Sequence, residues 1–141
     1  MKDNMEKAVE MLKTGGYTCV ICKDDCTYTS KERGIKPLVE WYDSGIDFEG
    51  AFAADKVVGK AAAMMYILMK AEKVFSYVMS KGAVETFERF GVQWYCDSVA
   101  EVIKNRTETG TCPMEQAVSS CAEPKEACAA VKRKLIELGS K

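Results

Sequence analysis

The sequence predicts an α/β protein, a three-layer αβα sandwich built around a mixed sheet. Short apolar runs typical of strands alternate with segments of helical periodicity, which favours a sheet with helices on both faces. Two strand-like runs stand on either side of Asp24-Asp25, and such a hairpin makes the sheet mixed rather than wholly parallel. In the segment VVGKAAAMMYILM the only charged residue is Lys60, which indicates a helix buried between layers.

The first predicted element is a helix. Met5, Ala8, Val9 and Leu12 recur at helical spacing, and Gly15-Gly16 ends the pattern. The segment is charged and amphipathic from its start, unlike a signal peptide, so we expect a cytoplasmic protein.

Two strands and a short helix follow. The run YTCVICK, residues 17–23, is apolar and contains β-branched residues, which predicts an interior strand. The run CTYTS, residues 26–30, is its predicted hairpin partner. Pro37 leads into a short helix around residues 38–42, which ends near Gly45.

The rest of the chain continues the alternation of strands and helices. The predicted strands are residues 50–55, 73–80 and 92–95. The predicted helices are residues 56–70, residues 83–90 closed by Gly91, a short segment that contains Val99, Val102 and Ile103, and a final helix at about residues 124–138.

Length and composition limit the function classes. A chain of 141 residues is long enough to bury its own core, so we predict one domain over residues 1–141. The net charge of −1, with basic and acidic residues interleaved, gives no basis for binding nucleic acid or an anionic membrane. Seven cysteines predict free thiols in a reducing compartment. The chain has no histidine, which excludes imidazole-based catalytic triads, and no cofactor is predicted.

A thiol stands at the start of a predicted helix in the segment TCPMEQAV. Pro113 suits the first helical position, so Thr111 or Cys112 is the N-cap. The free N–H groups and the positive end of the helix dipole would favour a thiolate at Cys112, or an anion beside it. Glu115 lies in the same first turn and would accept a proton or cap the helix. In the alternative interpretation, Cys112 is a small buried apolar residue beside a well-capped helix.

The spacing of Cys19, Cys22 and Cys26 invites a metal-site interpretation. If residues 17–23 form a strand, however, Cys19 and Cys22 point to opposite faces of the sheet. A tetrahedral zinc site would also need a fourth ligand in a chain without histidine. We therefore predict no metal there.

Two strings resemble a small bacterial and archaeal family of domains of unknown function that have a cytidine-deaminase-like fold. They are ADKVVGKAAAMMY and NRTETGTCPMEQAV, and the similarity runs from about Met5 to Cys121. The Cys-Pro-Met-Glu string behind the loop Asn-Arg-Thr-x-Thr-Gly is the most specific element. The resemblance implies a three-layer αβα sandwich around a mixed sheet, the same fold class that the element order predicts.

The sequence departs from active zinc deaminases at both of their motifs. Those enzymes carry His/Cys-x-Glu at the start of one buried helix and Pro-Cys-x-x-Cys at another, and three of these side chains bind zinc. Here the first helix opens with Lys56-Val57-Val58-Gly59-Lys60, which supplies neither a ligand nor a proton shuttle. The second motif keeps Cys112 but has Glu115 where the second thiol would fall. Zinc-dependent deamination is therefore not expected.

The resemblance leaves a cleft onto which two helix N-termini open. Hydroxyl groups, backbone N–H groups and an arginine there would suit a phosphate or a ribose-bearing anion, although Glu108 and Glu115 oppose that charge. The candidate ligand-binding residues are Asp55, Lys56, Lys60, Asn105, Arg106, Thr107, Thr109, Gly110 and Thr111. The candidate catalytic residues are Cys112 and Glu115.

Three functions follow from this reading. The first is a non-deaminating module that binds a nucleotide or a similar phosphate-bearing anion in the cleft. The second is a thiol-dependent enzyme or redox protein that uses Cys112, with Glu115 as proton acceptor. The third is a structural or partner-binding protein with an occluded cleft. The sequence leaves all three open, along with the ligand and the oligomeric state.

Overall fold

The computed structural model describes residues 4–32, 34–101 and 112–139. Strands and helices alternate along most of this length, as the sequence predicts. In chain order the elements are α1 (Asn4–Thr14), β1 (Cys19–Lys23), β2 (Cys26–Ser30), α2 (Lys36–Asp43), β3 (Phe52–Val58), α3 (Lys60–Leu68), β4 (Lys73–Ser80), α4 (Lys81–Phe90), β5 (Gln93–Ala100), α5 (Pro113–Val118) and α6 (Pro124–Gly139).

The five strands form one mixed sheet in the order β2-β1-β3-β4-β5. The strand β1 pairs antiparallel with both β2 and β3, whereas β3, β4 and β5 are parallel to one another. The hairpin closes at the pair Lys23 and Cys26 through Asp24-Asp25, and Asp24 adopts a φ of 52°. Aspartate tolerates this left-handed conformation better than most residues. The predicted hairpin and mixed sheet are confirmed.

Helices cover both faces of the sheet. The helix α1 packs Ala8 and Leu12 against one face, where Val20 and Phe75 belong to the same apolar cluster. A larger cluster on the opposite face joins the sheet to the other helices. The sandwich architecture predicted from the element order is therefore present.

The helix α3 is enclosed on nearly all sides. Met64, Met65 and Tyr66 are each at most 1% exposed, and the helix contacts both α4 and α6. Each fully buried side chain of this size stabilises the fold by roughly 1.5–3 kcal/mol relative to an exposed one. The prediction of a helix buried between layers is confirmed. No helix in residues 4–32, 34–101 and 112–139 combines the length and apolar character that crossing a membrane requires.

Two cysteines of β1 lie on opposite faces of the sheet. Cys19 belongs to the larger cluster and Cys22 to the smaller one that α1 covers. The two thiols cannot converge on one ion, which is the geometric reason given above for predicting no metal at these residues.

The boundary between β3 and α3 differs from the prediction. The strand continues through Val57 and Val58, and α3 begins at Lys60 rather than at Lys56. The reason is the parallel ladder, because Val57 and Val58 pair with Val78 and Met79 of β4. Lys56 is consequently a strand residue with an exposed side chain, not the first residue of a helix.

The strand β5 is also longer than predicted. It reaches Ala100, and Val99 pairs with Met79, so the predicted short helix at Val99 is wrong. Three apolar residues at helical spacing do not outweigh a ladder that satisfies the backbone groups of the strand. Val102 and Ile103 lie outside the described residues.

The last two helices follow the sequence signals. Pro113 occupies the first turn of α5, and Cys112 is its N-cap. The helix α6 starts at Pro124 and buries Ala127 and Val131. Its last turn extends beyond the packed neighbours, since Ile136 is 71% exposed and Leu138 is 40% exposed.

Candidate functional site

The carboxyl ends of the parallel strands meet at one edge of the sheet. The helix α3 starts directly after β3, and α4 starts directly after β4. These two helix starts are adjacent, because a Cβ atom placed on Gly82 would lie 3.4 Å from the Cβ atom of Lys60. The helix α5 packs against α3. In sheets of this kind ligands bind beyond the carboxyl ends of the strands, so we took this edge as the candidate site.

Glu115 of α5 caps the start of α3. Its Oε1 atom accepts a hydrogen bond from the backbone N–H of Lys60 at 2.7 Å, and its Oε2 atom accepts one from the N–H of Ala61 at 3.0 Å. The N-cap residue of α3 is Gly59, which has no side chain to accept these bonds. Glu115 thus satisfies two of the free donors of α3 and places a carboxylate at the positive end of that helix.

This contact corrects the role expected for Glu115. The sequence placed Glu115 in the first turn of α5, where it would accept a proton or cap its own helix. Its carboxylate instead binds a helix that begins 55 residues earlier in the chain. Sequence spacing gives no signal for such a contact, because the two helices are brought together only by packing.

Residue 59 must be glycine because a side chain there would clash, not because its backbone conformation requires glycine. Its φ of −99° is accessible to any residue. A Cβ atom at this position would overlap the carboxylate group of Glu115. The absence of a side chain at Gly59 therefore allows Glu115 to reach the N–H groups of α3.

Lys60 binds α5 a second time. Its Nζ atom donates a hydrogen bond to the carbonyl oxygen of Ser119, the C-cap residue of α5, at 3.2 Å. The backbone of Lys60 holds the first turn of α5 through Glu115, and its side chain holds the other end. Each contact pairs a charge with the helix end of opposite partial charge. The partly buried Lys60 side chain is therefore bound to α5 rather than freely solvated.

Asp55 is partly buried and belongs to a polar chain with two buried residues that the sequence did not indicate as site residues. The hydroxyl group of Tyr66 donates to Asp55 Oδ2 at 2.7 Å, and the Sγ atom of Cys19 lies 3.3 Å from the same hydroxyl oxygen. Cys19 and Asp55 are directly paired across the ladder between β1 and β3. Tyr66 is the only hydroxyl-bearing residue in the apolar helix α3, which is the one sequence signal that could have identified it.

Desolvation and hydrogen bonds together set the pKa values of these three groups. Desolvation raises the pKa of Asp55 to about 6, and the hydrogen bonds from Tyr66, from the backbone of Val57 and Lys56 and from Cys19 lower it only in part. Desolvation also raises the pKa values of Cys19 and Tyr66, and the negative charge of Asp55 raises both further.

Cys112 is the N-cap residue of α5, and it is one of the two residues predicted for that position. The residue is partly exposed, and its side chain makes no capping hydrogen bond. Its carbonyl oxygen accepts the N–H of Gln116 at 3.1 Å. Another thiol, Cys26 at the hairpin, is the exposed one, whereas Cys22 is buried.

The remaining candidate ligand residues lie outside the described residues. They belong to the segment between β5 and α5 and are Asn105, Arg106, Thr107, Thr109, Gly110 and Thr111. In the part of the chain that the structure describes, no group of three or more Cys, Asp or Glu side chains is placed to hold a metal ion.

Comparisons with known proteins identify a family and a fold. The family model described as "Domain of unknown function (DUF1893)" matches residues 7–135, so the match extends through most of α6. The crystal structure of a DUF1893 family protein from Thermotoga maritima has a TM-score of 0.86 and 26% sequence identity, and the alignment covers 95% of this chain and 92% of that one.

A second solved structure is more distant. It is a diaminohydroxyphosphoribosylaminopyrimidine deaminase/5-amino-6-(5-phosphoribosylamino)uracil reductase from Thermotoga maritima, with a TM-score of 0.43 and 16% identity. The alignment covers 66% of this chain and 35% of that one. Similarity at this level carries no argument about function. No curated protein sequence matches the chain.

The contact between Glu115 and Gly59 gives the first prediction. We expect Glu115→Ala to lower the free energy of unfolding by about 1–3 kcal/mol, because two helix donors lose a charged acceptor. Gly59→Ala should also destabilise the wild-type chain, but it should cost clearly less in the Glu115→Ala background, where the overlap is relieved. Urea denaturation of the two single variants and the double variant measures this coupling.

Glu126→Ala is the matched control. Glu126 accepts a hydrogen bond from the N–H of Ala122 at 3.0 Å, but within one exposed turn of the chain rather than between two helices. Its loss should cost less than the loss of Glu115. Costs of Gly59→Ala and Glu115→Ala that simply add would show that the carboxylate does not occupy this position.

Proposed function

The chain belongs to the family described as "Domain of unknown function (DUF1893)", and we propose that it is a non-deaminating module of cytidine-deaminase-like fold. The proposed ligand is a nucleotide or a similar phosphate-bearing anion, bound at the carboxyl edge of the parallel strands. The observation that supports this function best is the pair of N–H groups at the start of α3, which already bind two oxygens of a carboxylate.

The chemistry of that helix start suits an oxyanion. Two neighbouring N–H groups at the positive end of a helix bind carboxylate and phosphate oxygens by the same interactions. Gly59 leaves the backbone accessible to a close approach, and the Lys60 ammonium group lies in the same first turn. The Glu115 carboxylate therefore stands where one phosphate group of a ligand would bind.

Ligand binding at this position requires Glu115 to move. A bound phosphate would replace the two hydrogen bonds that the N–H groups of α3 donate to Glu115. The net gain in binding free energy for the wild-type chain is therefore small. The segment that contains Arg106 supplies further predicted contacts to the anion and would strengthen the complex. Binding in the wild-type chain is accordingly expected to be weak unless those contacts contribute.

Deaminase chemistry is not part of the proposal. The residue that begins α3 is Lys60, which follows Gly59 and is not a zinc ligand of the deaminase type. Glu115 is held as an acceptor by two backbone N–H groups rather than directed at a substrate. Neither helix start supplies the ligand set that the zinc reaction needs.

The same contact defines a competing structural function. If Glu115 permanently closes the start of α3, the edge binds nothing and the domain serves as a scaffold. The two functions predict different effects of a free anion on the melting temperatures of the wild-type chain and its Glu115 variant. One titration therefore separates them.

A thiol-dependent function is the second candidate. It is favoured by one observation, the partly exposed position of Cys112 at the N-cap of α5 with its thiol not engaged in capping. In this function Cys112 is the nucleophile or redox group. Glu115 is then bound elsewhere, to α3, and does not serve as its proton acceptor.

A thermal-shift titration tests the binding function. We expect inorganic phosphate and nucleoside mono- and diphosphates to raise the melting temperature, because a ligand of the folded state stabilises it by mass action. The shift should be larger for Glu115→Ala, whose helix start is vacated, and smaller for Lys60→Ala and Arg106→Ala. Glu126→Ala serves as the control for loss of one negative charge and should match the wild type.

Two outcomes contradict the binding function. The first is the absence of any shift at millimolar anion in both the wild type and Glu115→Ala, which supports the scaffold function. The second is an equal shift in all variants, which indicates anion binding at another place.

Timed alkylation tests the thiol function. We expect iodoacetamide to modify Cys112 and the exposed Cys26 in the native chain, and the buried Cys19 and Cys22 only after unfolding. If the helix start activates Cys112, it reacts faster than Cys26 although it is less exposed. Peptide mass spectrometry at several times gives both rates. A Cys112 rate at or below that of Cys26 would leave Cys112 as a packing residue.

A further inference from the structure

We propose that Cys19, Tyr66 and Asp55 form a pH-sensitive switch, which accommodates one negative charge at most and reverses the direction of its hydrogen bonds when Asp55 gains or loses a proton. The proposal does not depend on ligand binding. It concerns the contact between the sheet and α3, and it is carried by three acidic groups that are bonded to one another at that contact.

The three groups come from three different elements. Cys19 lies at the start of β1, Asp55 on β3 and Tyr66 on α3. Tyr66 is fully buried, Cys19 is 5% exposed and Asp55 is partly buried. The hydroxyl group of Tyr66 links the other two, at 2.7 Å from the Asp55 carboxylate and 3.3 Å from the Cys19 sulfur. Any change at Asp55 therefore reaches the β1–β3 ladder and the position of α3 together.

Within residues 4–32, 34–101 and 112–139, no lysine or arginine side chain binds Asp55, Tyr66 or Cys19. The described groups that face Asp55 are Tyr66 from α3 and Cys19 from β1, and Ser76 is its register partner on β4. Ser76 does not titrate, and its hydroxyl group donates to the carbonyl oxygen of Val78 at 2.8 Å. Two of the three facing groups are thus acids, and the third is neutral.

The charged residues Lys56, Lys60 and Glu115 do not bind Asp55. Lys56 follows Asp55 on β3, but its side chain is exposed. At the start of α3 the Lys60 ammonium group binds the Ser119 carbonyl, and Glu115 binds backbone N–H groups. Among the described residues, no lysine or arginine forms an ion pair with Asp55.

The proton on Asp55 sets the direction of the hydrogen bonds. When the carboxyl group is ionised it only accepts, so Tyr66 donates its hydroxyl proton to Asp55, and the Cys19 thiol donates to the Tyr66 oxygen or to Asp55. When Asp55 takes one proton from solvent, its O–H can donate to Tyr66, and Tyr66 can then donate to the Cys19 sulfur. No covalent bond other than the O–H bond forms or breaks, and no electron is transferred.

The sign of the pH effect follows from burial. Because desolvation raises the pKa of Asp55 from 3.8 in the unfolded chain to about 6, the folded chain binds more protons between these two values. Stability is therefore highest below pH 3.8 with respect to this group, falls as the pH rises through the window, and has lost the contribution above pH 6. Cys19 and Tyr66 stay protonated throughout, since the pKa of each is raised.

The experiment compares the full-length wild type with Asp55→Asn, which has the same shape and stays neutral. Between pH 4 and pH 7 the unfolding equilibrium constant of the wild type should increase roughly 50-fold relative to that of Asp55→Asn. Asp47→Asn is the control, and its effect should have the opposite sign. The N–H of Glu49 and the Lys23 side chain lower the pKa of the exposed Asp47 carboxyl group, so its contribution to stability is lost as the pH falls rather than as it rises. An NMR titration of the Asp55 carboxyl carbon in the folded wild type should give a midpoint near pH 6.

A Tyr66→Phe variant separates the switch from simple burial of a carboxyl group. Loss of the hydroxyl donor should move the Asp55 midpoint to higher pH, whereas a role of Tyr66 in packing alone leaves it unchanged. An unchanged midpoint in Tyr66→Phe, an Asp55 midpoint below pH 5 in the wild type, or parallel pH profiles of the wild type and Asp55→Asn would each overturn the proposal. If Asp55→Asn does not fold, the NMR titration of the wild type decides alone.

Discussion

The first turn of α3 needs acceptors that its own sequence does not provide. This helix runs through the interior, so its free N–H groups would be costly without partners. Gly59 precedes it and has no side chain, and the Glu115 carboxylate fills that need from another helix. The requirement for glycine at residue 59 follows from this contact, and the hydrogen bond from Lys60 to Ser119 joins the same two helices a second time.

The carboxyl groups of Glu115 and Asp55 are held in different ways. Glu115 is partly exposed and accepts two backbone N–H groups at the positive end of a helix. Asp55 faces a tyrosine and a cysteine, and burial raises its pKa to about 6. The fold thus holds one carboxylate that is bound at a helix start and one carboxyl group whose pKa lies at about 6.

The similarity to the DUF1893 protein from Thermotoga maritima extends over the whole fold, because the alignment covers 95% of this chain with a TM-score of 0.86. It defines the scaffold on which the site is built and leaves the function to be argued from side chains. The functional question therefore turns on Glu115. The two N–H groups that favour an oxyanion site are already occupied by the Glu115 carboxylate. A binding function and a scaffold function differ in whether a free anion can displace that carboxylate.

The sequence by itself determined the element order as far as β5, the hairpin, the buried character of α3 and the helix start at Pro113, because these depend on local periodicity, turn residues and helix-start signals. It missed the ends of β3 and β5, since Val57 and Val99 are strand residues only through pairing with β4. Only the tertiary structure decided the partners of Glu115 and Asp55. Glu115 binds the start of α3, which lies 55 residues earlier in the chain. Asp55 contacts Tyr66 through helix packing and Cys19 through strand register. Neither kind of contact can be predicted from local spacing in the sequence.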